Sequence, residues 1–390
     1  MNWRYRDTVL TLCTLAFFVT MVGRLAISPV VPEVTTTFDV SNAVVGAALS
    51  GMWLAYALTQ FPSGVLADRY GERLVILASV GGTGLLSLSI VFAPHLAVFF
   101  AGTVLLGAAA GLHYSVATTL LSRIYDDFGT AVGVHNAGAP AAGLVTPVVV
   151  AWLAVAYGWR LAVSVTAIIT VPILVLFFLR VRPTEPRRPN QPMRNQLEIR
   201  PLLGVMNRPP ILFTGVLAII ADFTWQGIAS FLPTFLIEHQ GYSATVAGGL
   251  FAAYFVVQGV LQIGVGSFSD RYGRDLATGV CLGGGVVGLS LLVIGSGFVA
   301  VGGGIVLLGL SMGWGAAVIP RFMDYLSPEE RNTGFGFIRT AYMVIASSGS
   351  IAVGLFADLF GWVVSFGVLI VLLGVALVLL IVNWAFRLDL

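Results

Sequence analysis

The sequence predicts an all-α membrane protein, with 12 transmembrane helices in two pseudo-symmetric six-helix bundles. Three observations carry this. Of 390 residues, 57% are hydrophobic and only 10% are charged, well under half the roughly 25% charge content of soluble domains. Apolar runs of the length a helix needs to cross a bilayer recur twelve times. The second half also repeats motifs of the first at a near-constant offset.

The apolar runs lie at about 8–34, 43–63, 74–93, 97–121, 130–157, 160–180, 210–237, 244–265, 276–296, 299–322, 332–359 and 362–386. The first is too long for a signal peptide, lacks a small-residue cleavage site and is followed by further spans, so it is expected to stay in the mature chain. Every basic residue is arginine, and with the N-terminus inside, 17 of the 20 fall on cytoplasmic segments. That bias orients the chain with both termini cytoplasmic, multi-pass in the cell membrane. Arg160 lies in an outer loop, while Arg24 and Arg339 fall within spans. A net charge of +2 is too small for a nucleic-acid binder. Cys13 and Cys281, each inside an apolar run, read as small hydrophobes.

The segment 181–209 is rich in Arg and Pro and separates six spans from six. It divides the chain into an N-terminal bundle at 1–180, a cytoplasmic linker at 181–209 and a C-terminal bundle at 210–390. A short interfacial helix is expected near 195–206. The halves repeat in sequence: GVLADRYGER (Gly64–Arg73) returns as GSFSDRYGRD (Gly266–Asp275) at a shift of 202 residues. Gln60 matches Gln262 at the same shift, and Gly158-Trp159 matches Gly361-Trp362 at 203. Such repeats are a common plan for transporters.

Polar side chains inside the spans are the candidate site residues, because a charge at the bilayer centre costs at least ~2.5–3.5 kcal/mol on insertion scales. Thr20, Arg24 and Ser28 are spaced by four on the first span, and Asp222, Gln226 and Ser230 are their equivalents on the seventh at the shift of 202. Each set therefore lies on one helical face. Arg24 sits roughly 24 Å along its helix at 1.5 Å per residue, slightly past the midplane. Its guanidinium offers a planar donor fork suited to carboxylate or phosphate. The competing role is a structural pair with Asp222 or with helix carbonyls. Asp222, near the midplane, reads either as a proton carrier or as a fixed counter-ion. Arg339 reads either as a second cation of the cavity or as a side chain that snorkels to the cytoplasmic surface.

His113 and Tyr114 lie in the fourth span and His135 and Asn136 in the fifth. A buried histidine can carry a proton near neutral pH; the alternative, neutral packing, is favoured for both. Tyr56 and Gln60 on the second span and Tyr254, Gln258 and Gln262 on the eighth read as cavity or gate groups, the aromatics equally as packing; the candidate substrate-binding set is Arg24, Ser28, Tyr56, Gln60, His113, Tyr114, Asn136, Gln226, Tyr254, Gln258 and Arg339. Asp222 and His113 are the candidate proton-coupling groups. Glycines such as Gly107 and Gly111 suit close helix contact.

Six plus six spans, with the GVLADRYGER loop after span 2 and its copy after span 8, resemble the major facilitator superfamily over essentially the whole chain. Glu72 and Asp275 stand where that family usually has a basic residue. The resemblance implies that Asp68, Arg69 and Arg73, with Asp270, Arg271 and Arg274, latch the cytoplasmic side. The stretch GRLAISPVVPEV…LSGMWLAYALTQFPSGVLADRYG is similar to the organic-anion branches: anion:cation symporters, sialin-like carriers and sugar-phosphate antiporters. These use an arginine in span 1 on the substrate anion, and a tyrosine and glutamine in span 2; Arg24, Tyr56 and Gln60 match. The implied activity is secondary transport of a small organic anion, a carboxylate or phosphate ester, by alternating access. Protons or sodium would be the coupling ion, the bilayer the surroundings, and the chain is expected to act as a monomer. The alternative is a proton-coupled drug or lipid exporter of the same fold, since Gly138–Gly143 weakly resembles an exporter motif. No HExxH pair, GxSxG elbow or nucleophile–base cluster occurs, so no enzyme, metal or cofactor is expected.

Overall fold

A computed structural model describes residues 4–125, 127–189, 204–327, 330–388 and 390. Regular structure among them is entirely helical, and 12 candidate spans of 20 to 34 residues appear. This is the outcome hydrocarbon imposes, because a helix satisfies its own backbone where water is absent. The elements are α1 (Tyr5–Leu25), a 3-10 turn (Ser28–Val30) and α2 (Val31–Phe38); α3 (Asn42–Tyr70); α4 (Glu72–Val91); α5 (Leu96–Gly111) and α6 (Tyr114–Ser122); α7 (Phe128–Asn136) and α8 (Gly138–Tyr157); and α9 (Trp159–Arg180). They continue as α10 (Pro209–Glu238), α11 (Ala244–Tyr272), α12 (Arg274–Ile294), α13 (Gly297–Ser311) and α14 (Gly315–Asp324), α15 (Glu330–Ala346) and α16 (Gly349–Phe360), and α17 (Trp362–Phe386). The expected helix near 195–206 falls, apart from 204–206, outside the described residues, as do Arg194 and Arg200.

Two compact units result. One comprises 1–40 and 48–198; the other comprises 41–47 and 199–390. In the first, α4 packs most extensively on α5 and α9. In the second, the repeats of those helices do the same, α12 on α13 and α17. The helices α3 and α11 run about seven residues beyond the predicted ends, through the repeated motif to Tyr70 and Tyr272. They stop because Gly71 and Gly273 adopt φ of +86° and +99°, a backbone that L side chains rarely take. Large apolar side chains such as Val171, Leu179, Val371 and Val378 stay exposed on α9 and α17. In water these faces would aggregate, whereas against lipid they are solvated.

Small residues set the helix spacing. A Cβ at Gly107 would lie 2.0 Å from the Met52 carbonyl oxygen, and one at Gly111 would lie 2.1 Å from Thr59 Oγ1, so α5 approaches α3 backbone to backbone. At Gly133 and Gly336, by contrast, a Cβ would meet open space.

The two acidic departures in the repeated motif are ion-paired. Glu72, at the start of α4, is buried and accepts from Arg123 Nη1 at 2.5 Å, with Arg187 Nε at 3.9 Å. Asp275, at the start of α12, accepts from Arg321 Nε at 2.8 Å. Arg321 is buried on α14 and also donates to Thr214 Oγ1 and the Leu390 carbonyl. Each unit thus ties the start of its third span to an arginine at the end of its fourth. A bidentate pair, Arg208 to Glu330 at 2.9 and 2.5 Å, joins the starts of α10 and α15. Arg208 thereby holds the Glu330 carboxyl below the usual carboxylate range.

Gly107→Val should destabilise the first unit by about 1–3 kcal/mol, because the added methyls meet backbone rather than a yielding side chain. Gly133→Ala should leave the thermal midpoint of detergent-solubilised protein unchanged; equal midpoints for the two variants would refute the close-approach argument. Arg123→Met should cost about 1–3 kcal/mol by leaving the Glu72 carboxylate buried without its nearer cation, and Glu72→Gln in the same background should recover part of the loss.

Candidate functional site

In the first unit, Thr20 and Arg24 of the stripe lie on α1, and Ser28 lies past its end in the 3-10 turn. Thr20, Arg24 and Ser28 are all buried, with Arg24 only 4% exposed. Thr20 Oγ1 turns back onto the Phe17 carbonyl at 2.9 Å, and Arg24 Nε donates to the Thr20 carbonyl at 3.2 Å. The guanidinium carbon stands 4.0 Å from the centre of the Tyr56 ring and 5.4 Å from that of Trp53. Those rings meet edge to face at 6.2 Å. Two electron-rich faces offset part of the cost of removing the cation from water, about 2 kcal/mol or more at a desolvated site. Tyr56 was expected from sequence; Trp53 was not, although its spacing of three residues from Tyr56 places both on one face of α3. Gln60 lies one further turn along and is buried.

A second cluster of the same unit gathers on α1 below this stripe. His113 occupies the break between α5 and α6, and His135 lies at the end of α7. Both rings are fully buried. Their centroids are 5.3 Å apart; Phe17 stacks on His113 at 5.9 Å and lies tilted against His135 at 5.0 Å. Tyr114 adds contacts at 5.4 Å to Phe17 and 5.8 Å to His135. Asn136, adjacent in sequence, is exposed.

In the second unit the α10 stripe is likewise buried. Gln226 Nε2 donates to Asp222 Oδ2 at 2.8 Å, and the charge of Arg339 acts on the same carboxylate. Ser230 shares a hydrogen bond with Ser350 at 2.7 Å, and Ser350 donates to the Gln226 carbonyl. The Gln226 amide oxygen is buried with no hydrogen-bond partner among the described residues. On α11, Gln258 donates to the Met312 carbonyl at 3.1 Å, leaving its own amide oxygen buried. Tyr254 turns into an aromatic group with Phe251 and Phe255. Gln262 is exposed.

The cytoplasmic candidates have distinct surroundings. Arg73 donates to the Phe178 carbonyl at 2.6 Å and lies over that ring. The beginning of the linker is fastened beside it. Thr184 Oγ1 accepts from the Arg73 backbone at 3.0 Å, and the Arg188 backbone donates to the Asp68 carbonyl at 2.9 Å. In the second unit Arg274 pairs with Asp270 and reaches Asp324 at 3.4 Å. Arg69 and Arg271 are exposed and lie over their neighbouring tyrosines, Tyr70 and Tyr272. The part of the linker that binds the motif carried no sequence signal beyond its arginines.

No group of three or more His, Cys, Asp or Glu able to hold a metal occurs among the described residues. The Major Facilitator Superfamily model matches residues 13–248 and 214–389. The hexuronate transporter of Bacillus subtilis is 23% identical over 66% of this chain and 63% of its own, so the match covers under two thirds of that relative. A probable 4-methylmuconolactone transporter of Cupriavidus pinatubonensis is 26% identical over 85% of this chain and 79% of its own. Relatives near this identity mostly move small organic anions, with some drug exporters among them. The solved structure of a bacterial homologue of the human lysosomal transporter Spinster matches with a TM-score of 0.82 and 16% identity, over 97% of each chain, which shows the fold. Twelve spans, a repeated glycine-turn motif and a family model spanning nearly the whole chain converge: this multi-pass membrane protein belongs to the Major Facilitator Superfamily, a family of transporters and not of enzymes.

Proposed function

We propose that this chain is a secondary transporter that moves a small organic anion, a carboxylate or phosphate ester, across the cell membrane by alternating access and coupled to protons. Both termini would be cytoplasmic, each half would form one six-helix bundle, and the monomer would be the working unit. The observation that carries the reading is Arg24: a permanently charged guanidinium, 4% exposed, lying over the rings of Tyr56 and Trp53. A charge is retained at membrane depth when it is used, and a planar fork favours carboxylate and phosphate over other solutes. Relatives named for hexuronate, gallate and 4-hydroxybenzoate support the same class. Arg339, whose charge acts on Asp222, supplies a second cation in this reading. Asp222 and His113 are the groups we assign to proton coupling. Asp68, Arg69 and Arg73, with Asp270, Arg271 and Arg274, are assigned to the cytoplasmic latch.

Binding of hexuronate, 4-hydroxybenzoate and gallate to purified protein, followed by uptake into proteoliposomes, tests the anion class. For the anion that binds, Arg24→Ala should weaken affinity by about 30-fold, equivalent to about 2 kcal/mol. Arg24→Lys should fall between, keeping the charge but not the fork. Undiminished uptake by Arg24→Ala, or protection by cationic dyes in place of anions, would replace this reading with the drug-exporter one. For coupling, Asp222→Asn should abolish the acceleration of uptake by an inward proton gradient while leaving exchange at equal pH intact. A gradient response equal to wild type would remove Asp222 from the coupling step.

A further inference from the structure

We infer that His113 and His135 together form a single proton-binding site in the core of the first unit, in which a proton on either ring excludes one on the other. The inference deepens the proton-coupled reading above and rests on it for its role in transport, but the site itself stands on separate observations. Both imidazoles are fully buried, and none of their four ring nitrogens makes a hydrogen bond of normal geometry among the described residues. Buried polar atoms are nearly always paired, so four such nitrogens at one place need a reason. Phenylalanine would fill the same volume without that cost.

The surroundings limit the pair to one proton. The Cys13 main chain lies beside both rings, short of regular hydrogen-bond geometry, so a single carbonyl is shared by two prospective donors. Phe17 and Tyr114 present aromatic faces to the pair, and such faces favour an imidazolium over bare hydrocarbon. Two charged rings at 5.3 Å would repel strongly, so the first proton excludes the second and the rings titrate as one unit. The remaining titratable and charged groups on the packed elements are few. On α1 they are Cys13, Arg24, whose charge acts on His113, and, in the first turn, Tyr5, Arg6 and Asp7; on α6 there is Tyr114. The helices α5, α7 and α8 carry no Asp, Glu or Arg. Those of α4 are Glu72 and Arg73, both at its first turn.

The site also sits where its protonation can move helices. His113 interrupts the fourth span, and the break between α7 and α8 falls two residues after His135. At that break Gly138 brings α8 against α1, where a Cβ would lie 2.7 Å from the Thr14 carbonyl oxygen. A charge gained between three helices at two breaks alters how those breaks pack, and Arg24 links the same helix to the proposed anion.

The chain has four histidines, so solid-state NMR of 15N-histidine protein in lipid vesicles resolves each ring without substrate. His95→Gln and His239→Gln, outside the pair, assign the remaining signals. Between pH 8 and pH 4, the pair should acquire imidazolium intensity equal to one ring. His135→Leu should weaken proton binding at His113 by about tenfold, and His135→Gln, which keeps an acceptor, by less. If neither variant folds, the wild-type proton count decides alone. Intensity of zero or two rings, or curves indifferent to the partner's substitution, overturns the shared site. Failure of every organic anion to bind would instead overturn the substrate reading and leave the proton count standing.

Discussion

A polar group in hydrocarbon has no water to turn to, and the structure follows from that constraint. Backbone amides satisfy themselves within helices, so twelve spans are helical from end to end apart from short breaks. Side chains obey the same rule less strictly. Threonines and serines fold back onto carbonyls three or four residues earlier, as Thr20, Thr83, Thr103 and Thr170 do. Charges collect at helix starts and ends, where Glu72 and Asp275 each meet an arginine. Arg24, Asp222 and the two histidines break this distribution, and they are the residues on which a functional account has to rest.

The features legible in the sequence were those that repeat. Hydrophobic runs gave the spans to within a few residues except at α3 and α11, where the helix continued through a motif whose charged residues resembled a loop. Helix is stable there because the charges reach the interface and only the glycine after Tyr70 or Tyr272 departs from helical backbone. The spacing of four placed Thr20 and Arg24 on α1 and Asp222, Gln226 and Ser230 on α10 at buried positions, while Ser28 falls past the end of α1 in a 3-10 turn. What single-chain periodicity could not reveal was pairing between elements distant in sequence. Trp53 beside Arg24, Arg123 on Glu72, and Thr184 on the Arg73 backbone are all of this kind. Packing was the favoured sequence reading of His113 and His135, and packing alone does not account for four ring nitrogens without a regular hydrogen bond.

The two halves share a framework but not a chemistry. The framework is nearly superposable in sequence: glycines with left-handed backbone at 71 and 273, and at 158 and 361, stand at equivalent turns. The chemistry diverges at matched positions. Arg24 of one stripe corresponds to Gln226 of the other, and Thr20 corresponds to Asp222. In the first half a cation leans on aromatic rings; in the second, a carboxylate takes a hydrogen bond from the glutamine one turn away. Duplication preserves what holds helices together, since any change there is felt by the whole bundle.

That asymmetry bears on how charge and substrate can influence one another. A guanidinium never loses its proton, so Arg24 is a constant attraction for an anion and cannot by itself sense pH. Variable charge has to come from carboxylate or imidazole. The histidine pair shares α1 with Arg24, and Arg24's charge already acts on His113. An anion at Arg24 would cancel part of that charge and make a proton on the histidines less costly. A proton there would strengthen the field that holds the anion. Each ligand then favours the other by the same factor, as linkage requires. The direct electrostatic route is short, running along one helix, and it does not require a carboxylate beside the arginine. In this fold a proton and an anion can therefore be bound together by a single half.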